Sequence, residues 1–279
     1  MLGMSKFASA SQEELQKLFP RRTRKAIMAQ GERLGLKRNR KKPRLYVNED
    51  YFKKWSPNMA YILGYILADG CIIKGTYTGY SDSLKFGVQL KDKDILEKIK
   101  KELSSEHSIS INKNAAHLCI TSQKIVDNLK CLGITYRKSL KETVPVVPKE
   151  YKKDFIRGII DGDGGISFDK RRYPTLRLCG GINTLSFVKN YFWKKFQAYS
   201  IIGKRTFSSS ANNCLHAISY RANTAKKLML HLYNNASLYL DRKYQLAMKC
   251  KTVFIKTRIN NSVYKKKYGL DSGGKPNKI

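Results

Sequence analysis

The chain is short of acid. Its 279 residues hold 21 Asp+Glu against 55 Lys+Arg, a formal charge of +34. Few roles tolerate that much self-repulsion without a polyanionic partner, and nucleic acid is the first candidate. No apolar run is long enough to span a bilayer and no signal-peptide pattern is found, so no membrane partner is expected. The 6 cysteines (71, 119, 131, 179, 214 and 250) form no Cys-x-x-Cys pair. That argues against a structural zinc site and for reduced thiols in a cytosolic protein. The 4 histidines lack metal-type spacing, which leaves histidine nucleophile chemistry without support. The positive charge runs along the whole chain rather than in one tail, as in a basic surface built into folded domains.

What is present is a repeat. Ile-Leu-Gly-Tyr-Ile-Leu-Ala-Asp-Gly at 62–70 recurs in altered form as Ile-Arg-Gly-Ile-Ile-Asp-Gly-Asp-Gly at 156–164. Each copy has an apolar helical pattern and ends in Asp-Gly. Asp69 and Asp163 therefore fall where a helix stops, at the negative end of its dipole, where cations are favoured. Asp-Gly can also serve simply as a turn and C-cap pair. Two symmetric copies in so basic a chain favour function over that reading, and a bound metal ion is the simplest one. Gly64 and Ala68, like Gly158 and Gly162, lie four apart, which lets two helix backbones approach closely. Side by side, such helices would deliver both carboxylates to one place. A hard divalent ion takes carboxylate oxygens and keeps several waters. Two of them about 4 Å apart can activate water for in-line attack on a phosphodiester. Asp161 has Leu67 in its place in the first copy, so no role shared by both halves requires it.

The elements between the motifs recur at nearly the same offset of 94 positions, which points to an internal duplication. The first motif helix is expected at about 58–69. Strands follow at 71–77 and through Leu84, Phe86, Val88 and Leu90, then a helix at 92–104, strands at 108–113 and 116–121, and a helix at 122–132. After a linker with Pro145 and Pro148 the order restarts with a helix at 150–163. Strands at 165–170 and 174–180 and a helix at 184–198 come next, then strands at 201–208 and 213–220 and a helix at 222–235. The expected domains are a basic helical extension at 1–45, a first half at 57–140, a second half at 150–250 and a basic tail at 251–279. In the extension, Ser11 with Glu14 makes a capping box and Thr23 caps a second helix. Ala26, Ile27, Leu34 and Leu36 supply its apolar contacts. The pair reads either as a truncated helix-turn-helix or as a basic arm that only touches phosphates. Its candidate DNA contacts are Arg22, Arg24, Lys25, Arg33 and Arg38. On the strands, alternation selects Tyr77, Lys85, Gln89, Lys91 and Arg177, either as DNA contacts or as a solvated sheet face.

These residues resemble the double-motif LAGLIDADG homing endonucleases. The paired motifs carry the resemblance across about 57–250, together with Thr-Val-Pro-Val-Val-Pro-Lys-Glu-Tyr leading into the second motif. The resemblance implies an α+β fold of two pseudo-symmetric αββαββα halves forming a DNA-binding β-saddle, with the motif helices at the pseudo-dyad. It implies cleavage of a long, non-palindromic double-stranded site across the minor groove, dependent on Mg²⁺ (or Mn²⁺) and leaving 3′ overhangs. It places metal on Asp69 and Asp163, assisted by the backbone carbonyls of Ala68 and Gly162. Arg-Lys-Ser at 137–139 and Arg-Lys-Tyr at 242–244 nominate Lys138 and Lys243 as a symmetric catalytic pair. Some relatives carry a glutamine at the position of Leu90, a departure here. A monomer that needs no protein partner is expected, encoded by an intron or free-standing, in the cytoplasm of a bacterial or phage system or in an organelle. The alternative is a catalytically weak DNA- or RNA-binding protein, an intron maturase or transcription regulator, on the same fold.

Overall fold

The computed structural model describes Phe7, Ala10 and residues 12–36, 45–75, 81–136, 143–205 and 215–253. The chain divides into two compact units, 1–45 and 46–279. In the first, α1 (Gln12–Leu18) and α2 (Arg24–Arg33) pack around Phe7, Leu15 and Ile27. Thr23 caps α2 as expected, its hydroxyl accepting from the Ala26 amide at 3.3 Å. Leu34 is not the packing residue expected. It is 50% exposed, because the helix has ended and its last carbonyls are taken by the Leu34 and Gly35 amides. Phe7 takes the apolar role instead, lying against Gly31.

The second unit carries the duplication. Its first half runs α3 (Pro57–Asp69), β1 (Gly70–Ile73), β2 (Ser83–Gln89), α4 (Asp94–Glu102), β3 (Ile109–Ile111), β4 (Ala115–Thr121) and α5 (Gln123–Cys131). The second half runs α6 (Lys152–Asp163), β5 (Gly164–Phe168), β6 (Pro174–Gly180), α7 (Ile182–Phe196), β7 (Gly203–Arg205), β8 (Leu215–Arg221) and α8 (Ala222–Tyr233), and α9 (Asp241–Lys249) follows. Each half folds an antiparallel four-stranded sheet with the same order, β1-β2-β4-β3 and β5-β6-β8-β7. The observed fold is thus the expected α+β pair of αββαββα halves. Among the described residues no helix is long and apolar enough to cross a membrane.

Local chemistry explains the elements. Ser56 caps α3 through the Met59 amide at 3.0 Å, and Pro57 occupies the first turn, where its missing N–H costs nothing. Residues 59–67 of α3 are all buried, because it packs on α6 as well as on its own sheet. The helices α4 and α5 are amphipathic and send Ile95, Leu96, Ile99, Ile125, Val126 and Leu129 into the core. One continuous core runs through both halves.

The first-half strand that was expected to carry Leu90 and Lys91 stops at Gln89. Leu90, Lys91 and Asp92 form a 3₁₀ turn, and Leu90 is 40% exposed. Alternation through Val88 is real, but the chain bends once Leu90 bonds to the Asn114 carbonyl. The expected strand at 71–77 ends at Ile73.

Candidate active site

Asp69 and Asp163 are the last residues of α3 and α6. The two helices cross with no side chain between them at the glycines. A Cβ on Gly64 would stand 2.0 Å from the Phe155 carbonyl oxygen, and one on Gly158 2.0 Å from that of Tyr61. The seam continues to the acidic end. A Cβ on Gly162 would lie 2.3 Å from the Ala68 Cβ and 3.4 Å from Asp69 Oδ2. The carboxylate of α3 therefore rests over the last turn of α6, one residue before Asp163. Gly70 and Gly164 follow in extended backbone, φ −82° and −86°. The left-handed cap that a mere Asp-Gly turn would use is not made.

Both acids are exposed at this end, and the surroundings compensate for them. Lys243 of α9 is only 3% exposed. Its Nζ donates to the carbonyls of Ile160 at 2.7 Å, Asp161 at 2.6 Å and Gly162 at 3.4 Å. It caps the C-terminus of α6 and sets a positive charge where the helix dipole is negative. Burial holds its ammonium below the ordinary range, while Asp161, Asp69 and Asp163 pull the other way. Tyr65 bonds Asp69, and its phenol is pushed far up by burial first and by Asp69 next.

Asp161 is 2% exposed. It accepts from Tyr61 Oη at 2.8 Å, Tyr233 Oη at 2.5 Å and the Leu240 amide at 2.8 Å. Burial raises its pKa, and Lys243 and these donors oppose the rise. It joins α6 to α3, α8 and the residue that starts α9, and so fixes the helix that carries Lys243. The first copy has no such carboxylate; Leu67 is packed in the core there. Sequence reasoning set Asp161 aside for lack of a symmetric partner and missed this positioning role. The signal available was Arg157 and Asp161, two charged residues four apart on one face of an apolar motif helix.

An open cavity of 590 Å³ adjoins the acidic end. Asp69, Gly162, Gln89 and Lys91 line it, as do Asp92 and Arg242. Arg242 grips Asp92 with two bonds, Nε to Oδ1 at 3.1 Å and Nη2 to Oδ2 at 2.9 Å. This pair, absent from the sequence reading, ties the 3₁₀ turn of the first half to α9. Gln89, and not Leu90, is the residue that faces the cavity. Among the described residues His117 Nδ1, buried beside it, has no hydrogen-bond partner.

Register sorts the remaining candidates. Next to the glycine that follows each acid, the sheets place Cys71–Lys85–Cys119 in one half and Gly165–Arg177–Ser219 in the other. Lys85 and Arg177 thus hold the same position in the two sheets, half-exposed and exposed. Lys91 is exposed on the 3₁₀ turn rather than on a strand. Arg22, Arg24, Lys25 and Arg33 are exposed in the first unit, where Arg22 and Arg33 line a separate cavity of 490 Å³. Tyr77, Arg38 and Lys138 lie outside the described residues.

Among the described residues no group of three or more His, Cys, Asp or Glu side chains could hold a metal ion. The oxygen donors exposed at the acidic end are the carboxylates of Asp69 and Asp163. That set suits a hard ion that keeps most of its waters and suits a thiolate- or imidazole-seeking ion poorly.

No family model and no curated protein matches the chain. Solved structures similar to it include the LAGLIDADG homing endonuclease I-GzeII in complex with its DNA target, at TM-score 0.48 and 12% identity over 79% of this chain and 94% of that one. The LAGLIDADG meganuclease I-AabMI bound to uncleaved DNA gives 0.47 and 12% over 79% and 95%. The I-LtrWI LAGLIDADG homing endonuclease bound to target DNA gives 0.46 and 15% over 81% and 95%.

Proposed function

We propose that this chain is a LAGLIDADG-type endonuclease that cuts double-stranded DNA with the help of Mg²⁺ or Mn²⁺. The observation that carries the reading is the seam of α3 and α6, which brings the two acids to one solvent-open end of a very basic chain. Asp69 and Asp163, with the carbonyls of Ala68 and Gly162, would hold the ions. The bound ions would supply an activated water and neutralise the charge that develops on the phosphate. Lys243 holds the end of α6 in place by capping its carbonyls. Gln89 and Lys91 face the space where the phosphates would lie. Lys85 and Arg177, at matching places in two sheets of unlike sequence, suit a long target whose halves differ. Cleavage across the minor groove with 3′ overhangs, action as a monomer without a protein partner, intron homing, and a cytoplasmic or organellar setting complete the proposal.

The test uses a randomised duplex library incubated with the protein and Mg²⁺, with the ends sequenced. Asp69→Asn and Asp163→Asn are each expected to abolish double-strand cleavage while binding the duplex within about threefold of the unaltered chain, since no cation contact to phosphate is lost. Either variant cutting both strands at the normal rate would overturn the assignment. Intact binding with no cleavage by the unaltered chain would favour the alternative, a binding protein on this fold.

A further inference from the structure

A groove in the second unit is not used by this reaction. It measures about 1000 Å³, and Lys149, Lys152, Lys153, Lys194 and Lys195 line it. Among the described residues Glu150 is the one acid in its wall. Among the described residues none of the five lysines is ion-paired. Lys153 donates to the Asn234 carbonyl at 2.9 Å, and burial above all holds its ammonium below the ordinary range, with Asp154 opposing and Arg157 and Lys195 adding to the fall. So concentrated a charge is costly in an empty groove and favourable in one that takes a polyanion.

Its place in the fold separates it from the acidic end. Lys152 and Lys153 open α6, and Asp163 closes it. At a rise of 1.5 Å per residue the two ends lie about 16 Å apart along the helix. The duplication does not supply it twice. Offset by 94, the positions of Lys149, Lys152 and Lys153 are Trp55, Asn58 and Met59, all uncharged, while those of Lys194 and Lys195 are Lys100 and Lys101. The lysines on the α6 side of the groove therefore belong to the second half alone.

The rest of the wall indicates the kind of polyanion. Phe187 and Tyr191 stand one helical turn apart on α7 and line the groove beside the lysines. Trp193 on the same helix is 46% exposed. Ammonium groups meet phosphates, and aromatic rings stack on bases. A duplex hides the faces of its bases, whereas a single strand presents them. We propose that the groove binds single-stranded nucleic acid, RNA or DNA, as a second site independent of the acidic pair. The proposal stands whether or not Asp69 and Asp163 cut DNA.

The test is a fluorescence-anisotropy titration of the full chain with labelled oligo-U RNA, oligo-T DNA and a random-sequence duplex, the single strands about 12 nucleotides long to match the reach of such sites. The groove variant Lys149→Gln/Lys194→Gln/Lys195→Gln changes only exposed side chains. It is expected to bind the single strands about tenfold or more weakly and the duplex within about twofold. A control with the same charge loss elsewhere, Lys101→Gln/Lys124→Gln/Lys251→Gln, should change single-strand binding by less than about threefold. Ultraviolet crosslinks should map to the peptide that holds Phe187 and Tyr191. Loss of both RNA and DNA binding, or of one alone, supports the groove and identifies the sugar it takes. Equal losses for duplex and single strands, equal losses in the control, or unchanged binding by the groove variant would overturn it.

Discussion

A carboxylate at the C-terminus of a helix is a poor choice until its neighbours are counted. Lys243 supplies the cation that the helix end of α6 calls for, and Asp161 supplies the counter-charge that lets a lysine be buried there. The same logic of buried charge applies at His231, half-buried beside the lysine groove. Its Nε2 faces Tyr191 Oη at 2.8 Å, and its ring meets that of Phe196 at 4.9 Å. Burial first, then Lys195 and Lys153, pushes its pKa down to about 4 from an ordinary 6.5. Between those values the unfolded chain binds a proton that the folded chain refuses. Stability is therefore expected to fall as pH drops from 6.5 to 4, with the cost complete below about 4. With water reaching the ring, the cost should be on the order of 1 kcal/mol. Urea unfolding at neutral pH and near pH 4 checks this against His231→Gln, which keeps an acceptor or donor for Tyr191 and cannot titrate. If the variant loses as much stability in acid as the unaltered chain, His231 is not responsible.

At the scale of elements, α3 and α6 meet backbone to backbone at their glycines. A methyl group on Gly158 would meet backbone, not a side chain that could turn away. Gly158→Ala is therefore expected to part the helices and to cost about 1–3 kcal/mol or more in unfolding free energy. Cleavage should fall with it, because the separation of the acids changes. Gly165→Ala, with nothing within 4 Å of its added methyl, is the control and should do neither. Equal stability for the two variants would show that the seam yields. This contact was legible from Gly64 and Gly158 at matching places in two apolar repeats. The strand and helix order was legible too, because alternation and helical spacing are properties of the residues themselves. Leu90 and Lys91 were not, since the chain bends there through a bond to Asn114, 24 positions on. Asp161 was set aside because its partners, Tyr61, Tyr233 and Leu240, lie 72 to 100 positions away and no local pattern announces them. The Asp92–Arg242 pair, 150 positions apart, was hidden for the same reason.

For the molecule as a whole the dominant quantity is charge. Residues 1–45 hold 13 Lys+Arg and 3 Glu, a net +10 of the total +34. Arg22, Arg24, Lys25 and Arg33 are exposed on that unit. If these cations sit on phosphates, each releases condensed counterions, and the affinity for duplex falls with salt in proportion to their number. The full chain should lose about a thousandfold or more in duplex affinity between 50 and 200 mM monovalent salt, as for six or more neutralised phosphates. A chain of residues 46–279 should give a log–log slope shallower by about 2 to 4, close to 0.9 for each contact removed. Titrations of both chains on one duplex across that salt range measure the difference. Coincident slopes would mean that the first unit makes no phosphate contact, and its helices would then have to be explained without DNA. Asp69→Asn should leave the slope of the full chain where it is, because it removes no cation, so a change in cleavage and a change in grip can be told apart.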